Sequence, residues 1–181
     1  MSERHNPAVH TPTRRQMIGW TAMALGSVAG GSEVWARARQ QTAKETTDSA
    51  ANRTRTSLHQ EITFKASPQR IYEVLLDSKQ LAAFTGMPAE IDAKAGGAFS
   101  MFGGLIVGRN VELVPAQRVV QAWRPTHWEP GVYSMVRFDL KPRDSETIVG
   151  LDHTGFPAGA FDDLDHGWYV RYWDPLKKFL A

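Results

Sequence analysis

His153 is the side chain in this 181-residue sequence best suited to acid–base chemistry, lying in an otherwise apolar stretch beside Asp152. An imidazole titrates near neutral pH and can act as base, acid or metal ligand. On an apolar strand face, however, a histidine is more often hydrogen-bonded within a core, and a single group makes no catalytic triad. Asp162, Asp163, Asp165 and His166 have the spacing of a metal cluster on a helix. Carboxylates in a first helical turn also complement the positive end of the helix dipole, and a solvated turn is the expected arrangement. The sequence holds no GxSxG, HExxH, P-loop or dinucleotide fingerprint. It has no cysteine, which excludes thiol nucleophiles, thiolate metal sites, disulfides and a lipobox anchor. No catalytic residue, metal site or cofactor is assigned, and the balance leans toward binding over catalysis.

A second motif concerns location. Arg14 and Arg15 follow Thr13 and precede an uncharged run from Met17 to Gly31. That run is too short, and too rich in Gly, Thr and Ser, for a membrane span of about 20 apolar residues. Ala36-Arg37-Ala38 supplies a small-residue exit. Basic start, modest apolar run and small-residue exit together describe a bacterial export signal of the twin-arginine type. Met17 stands where an aromatic residue is commoner in such signals, and Gly19 where lysine is usual. The expectation is export through the twin-arginine machinery, cleavage after Ala36 or Ala38, and a periplasmic location, with membrane contact only through the signal. The formal charge of +2 belongs to this leader, since residues 39–181 carry 17 basic and 17 acidic side chains. A basic footprint for nucleic acid is missing from that part.

Residues 39–57 have three alanines as their only apolar side chains, and are expected to form a disordered polar linker. From residue 58 to 181 the composition is that of one globular domain. Leu58–Phe64 alternates as a half-buried strand. Ser67-Pro68 starts a helix as N-cap and first helical residue, with Ile71, Val74 and Leu75 as its apolar stripe. Asp77 caps a second helix. Gln80 completes a capping box, Leu76 and Leu81 are placed for a hydrophobic staple, and Gly86 with Pro88 ends the helix. Six strands follow over 89–93, 98–102, 105–113, 119–124, 133–140 and 147–154, with Gly103-Gly104 as a two-residue hairpin and Pro115 and Pro142 marking connections. Leu164, Trp168, Tyr172, Leu176 and Phe179 recur at steps of four or three. They predict one long helix over 161–180, kinked or broken at Pro175.

This order of elements resembles the START-like, helix-grip superfamily (SRPBCC), and most closely its branch named after the activator of the heat-shock ATPase. The residues that carry the resemblance are 66–77, Gly96-Gly97-Ala98-Phe99, Leu151–Phe156 and Gly167–Leu180. It implies an α+β fold, a curved antiparallel sheet wrapped around a long C-terminal helix with two short helices after the first strand. It also implies a cavity between sheet and helix. Strand alternation turns Val119, Gln121 and Trp123, then Val136, Phe138 and Leu140, then Val149, Leu151 and His153, each set to one face. Trp168 and Tyr172 oppose them from the helix. Trp123, Val136, Phe138, Leu151, His153, Trp168 and Tyr172 are therefore the expected pocket lining, for a small apolar or amphipathic ligand. A filled core is the competing arrangement. A co-chaperone-like interaction module and a START-like lyase, cyclase or hydrolase are the alternative functions.

Overall fold

The computed structural model describes Arg37 and residues 51–181. Apart from Arg37, the expected signal, with Arg14 and Arg15, and the linker up to residue 50 lie outside the described residues. The chain divides into two units, 1–40 and 41–181, and the second holds the sheet and the helices that pack on it.

Strand β1 (Ser57–Phe64) alternates strictly, burying Leu58, Gln60, Ile62 and Phe64. The residues just before it are not loose. The Arg55 guanidinium lies 3.8 Å over the Phe161 ring, and Asn52 donates to Asp162 at 2.9 Å. Residues 51–57, read from the sequence as the end of a polar linker, thus lie against Phe161 and Asp162 through a cation–π contact and a polar bond.

Helix α1 (Pro68–Leu76) is capped by Ser67, which accepts from the Arg70 amide at 3.2 Å. Helix α2 (Ser78–Thr85) starts at Asp77, which accepts from the Gln80 amide at 2.8 Å, and ends at Gly86 in the left-handed region. The capping box is only half made, since the Gln80 side chain accepts from Arg70 instead of returning to Asp77.

The remaining strands are β2 (Glu90–Ile91), β3 (Ala98–Met101), β4 (Ile106–Val114), β5 (Arg118–Pro125), β6 (Ser134–Arg143) and β7 (Glu146–Thr154). With β1 they form one seven-stranded antiparallel sheet in the order β1-β7-β6-β5-β4-β3-β2. A register shift between Asn110 and Glu112 leaves Val111 exposed while Asn110 is buried. The β3–β4 connection is Phe102–Leu105, with Phe102 and both glycines at positive φ, so it takes two residues more than expected. Pro142 lies within β6 opposite Thr147, not in a connection. Strand β5 pairs with β6 only as far as Asp139, so the missing proline N–H falls where β6 has one neighbour.

The C-terminal element is segmented. Helix α3 (Phe161–Trp168) runs into a π turn (Tyr169–Trp173) and then helix α4 (Asp174–Leu180). The Asp174 amide bonds the Tyr169 carbonyl, one residue further back than in an α-helix. Proline cannot bond the carbonyl four residues before it and clashes with it in a regular helix; the wider turn relieves this at Pro175. The break expected at Pro175 takes the form of a π turn over the preceding residues, Tyr169–Trp173. The extra residue also turns Trp173 inward beside Tyr172, and both are buried.

Candidate functional site

Sheet and helix bring all seven expected pocket residues into one interior. Trp123 comes from β5, Val136 and Phe138 from β6, Leu151 and His153 from β7, Trp168 from the end of α3 and Tyr172 from the π turn. Every one is buried. Their rings lie in contact. The Trp168 centroid is 4.9 Å from that of Trp123, 5.0 Å from Tyr172, 5.5 Å from Trp173, 5.7 Å from Phe138 and 5.8 Å from His153. Tyr172 stacks on Phe138 and reaches Phe84 and Phe102. These separations are those of offset and edge-to-face aromatic packing. The side chains expected to line a cavity touch one another between sheet and helix. A depression of about 500 Å³ does exist at the β2–β3 edge, open to solvent and lined by Ser78, Glu90, Ile91, Asp92, Phe99 and Ser100. None of the seven borders it.

Inside the aromatic shell runs a line of hydrogen bonds. Trp168 Nε1 donates to His153 Nδ1 at 3.1 Å, and His153 Nε2 lies 2.7 Å from Ser134 Oγ, which bonds the Trp123 carbonyl at 3.3 Å. Trp123 Nε1 donates to Gln121, Gln121 to Asn110, and Asn110 to the Asp92 carbonyl, at 2.9, 2.8 and 2.9 Å. Gln60 makes a separate link, accepting from Trp173 at 2.6 Å and donating to Asp165 at 2.8 Å. The line accounts for four buried polar side chains, Asn110, Gln121, Ser134 and His153.

Ser134, which no sequence motif singles out, gives His153 the look of a nucleophile–base pair. The hydrogens argue otherwise. An indole N–H only donates, so Nδ1 holds the lone pair and Nε2 the proton. His153 therefore donates to Ser134 instead of accepting its hydroxyl proton, and Trp168 stands where a triad carboxylate would orient the ring. Burial pushes the imidazole down to about 3, and pushes the Tyr172 phenol well above its ordinary range. The acidic turn of α3 is used structurally, Asp162 by Asn52 and Asp165 by Gln60. No group of His, Asp and Glu among the described residues is arranged to hold a metal ion.

The outer face of the sheet carries a ladder of alternating charge. His59, Asp152, Arg137, Asp139, Arg118 and Glu112 link successive strands from β1 to β4 at 2.7, 2.7, 3.0, 2.7 and 3.7 Å. Within this ladder each arginine lies beside two carboxylates, at least one of them on a neighbouring strand.

A curved antiparallel sheet closed on a C-terminal helix, with two short helices after the first strand, defines the helix-grip fold of SRPBCC domains. Residues 65–181 match the family model described as activator of Hsp90 ATPase homolog 1-like protein, and the chain belongs to that family. It is similar to the activator of 90 kDa heat shock protein ATPase homolog of Dictyostelium discoideum, 34% identical over 122 residues, covering 65% of this chain and 31% of that one. Homolog 1 of Homo sapiens is 30% identical over 116 residues, covering 64% and 34%. The chain thus spans about a third of the length of these curated relatives. Among solved structures, an HSP90 activator from Plasmodium falciparum superposes with a TM-score of 0.67 at 24% identity, covering 70% of this chain and 96% of that one. CalU16 from Micromonospora echinospora gives 0.60 at 19%, covering 69% and 76%. At such identities these structures speak for the fold alone.

Proposed function

We propose that this chain is an exported recognition domain that binds another protein at its surface, its aromatic interior serving as scaffold. The observation that carries this reading is the packed interior, in which Trp168 touches five rings. A small ligand has to displace the chain's own side chains to enter. Support also comes from relatives named as activators of an ATPase, a name that belongs to those proteins. The inverted Ser134–His153 bond speaks against a lyase, cyclase or hydrolase.

Native mass spectrometry of the protein recovered from the periplasm tests this reading. Complexes with protein and no retained small molecule are expected; a stoichiometric apolar ligand overturns it. That outcome would promote a second reading, a carrier of a small apolar or amphipathic molecule lined by the seven residues named above. The polar line Asn110–Gln121–Ser134–His153 favours it, since such groups could orient a guest.

Export rests on Arg14 and Arg15. Arg14→Lys with Arg15→Lys is expected to leave full-length precursor in the cytoplasm, as read by fractionation, and unchanged export would sink the signal. Because the periplasm lacks ATP, the partner is not an ATP-driven chaperone. The purified full chain should leave the rate of the heat-shock ATPase unchanged; saturable stimulation at micromolar protein would restore the co-chaperone role.

A further inference from the structure

His153 joins the sheet to the C-terminal helix through a contact that only its neutral form can make. Nδ1 receives the Trp168 indole N–H, and Nε2 gives its proton to Ser134. A second proton would have to sit on Nδ1, the atom facing that N–H, and set donor against donor. The residue is 1% exposed, so solvent cannot take over either bond. The ring meets Trp123 of β5, Phe156 after β7, Trp168 of α3 and Ser134 of β6, and the residues paired with His153 across the sheet are Leu58 of β1 and Val136 of β6. None is charged. Of the carboxylates on adjoining elements, Asp152 bonds His59 and Arg137 on the outer face, Asp139 bonds Arg118 and Arg137, and Glu146 pairs with Arg143. Asp162 bonds Asn52 and Asp165 bonds Gln60, while Glu61 and Asp163 are exposed to solvent. The Tyr172 phenol, in ring contact with Trp168, is held neutral by burial.

We propose that His153 is an acid-operated latch: taking up a proton expels its ring from the interior and frees α3 and the π turn from the sheet. Direction follows from the two protonation states. A released imidazole binds its proton near 6.5, whereas the buried one does so only near 3. The latch is fully closed above pH 6.5 and loosens as the pH falls toward 3, because release takes up one proton. The release equilibrium therefore shifts by about tenfold per pH unit in that window.

Urea unfolding of the full chain, followed by tryptophan fluorescence between pH 7.5 and 4.5, tests the latch against His153→Gln. Glutamine can accept from Trp168 and donate to Ser134 without titrating. Below pH 6 the wild-type folding constant should fall about tenfold more per pH unit than the variant's; parallel profiles would overturn the proposal. A second measurement needs no variant. Imidazole nitrogen NMR of the folded wild type should show His153 neutral, with the proton on Nε2, at pH 5. A protonated His153 in an intact fold at that pH would overturn it too.

Discussion

Replacing Trp168 by alanine is expected to destabilise the domain by about 3–5 kcal/mol, the range for deleting a large aromatic side chain from a close-packed core. Its indole is 4% exposed and meets rings from three strands and from the turn that follows it. Because those rings are themselves wedged between sheet and helix, the site can collapse only partly. Alanine also strips His153 Nδ1 of its donor, leaving a buried acceptor unpaired at about 1–3 kcal/mol. Against a typical domain stability of about 5–15 kcal/mol, the variant should be barely folded. Urea unfolding measures the loss directly. Trp168→Phe separates the two contributions, since it keeps most of the packing and removes only the N–H. A loss below about 1 kcal/mol for the alanine variant, with tighter binding of an apolar probe, would mean that Trp168 borders open space and would revive the ligand-carrier reading.

Gly108→Ala should be the most damaging single methyl in the sheet. Gly108 sits in β4 directly opposite Phe99 of β3, whose ring lies across the glycine. A Cβ there would overlap both that ring and the backbone carbonyl of Ala122 on β5. The ring could swing only by giving up its contact with Trp123, 6.2 Å away, and the carbonyl belongs to a paired strand. The cost should reach the upper end of the roughly 1–3 kcal/mol usual for overpacking. Gly150→Ala in β7 is the control, because a Cβ there meets only the Asp139 carbonyl, at an ordinary 4.0 Å. Thermal melts should separate the two variants by several degrees; equal melting temperatures would show that β4 and Phe99 yield freely.

The local devices of this fold are legible residue by residue. Ser67-Pro68, Asp77 and Gly86 punctuate two short helices because each acts on backbone groups within four residues of itself. Strand alternation places Val119, Gln121 and Trp123, and their counterparts in β6 and β7, on the buried face, since the side-chain period of a strand is two. The same arithmetic fails where geometry departs from its period. Trp173 falls outside a 3.6-residue stripe and is buried only because the π turn ahead of Pro175 adds a residue. Phe102 takes a backbone conformation associated with glycine, and Arg55 of the polar lead-in finds the ring of Phe161 at the far end of the domain sequence.

By itself, then, the sequence determined which side chains turn inward and where the two short helices start and stop, and it holds the twin-arginine motif from which export is proposed. Tertiary structure alone decided what the inward side chains do together. The β6–β7 register brings Ser134 to His153, and Trp168 then settles which nitrogen carries the proton. Whether the inward rings enclose a cavity or fill it depends on the spacing between sheet and helix. A change of about an ångström in that spacing separates contact from void, and no periodicity along the chain encodes it.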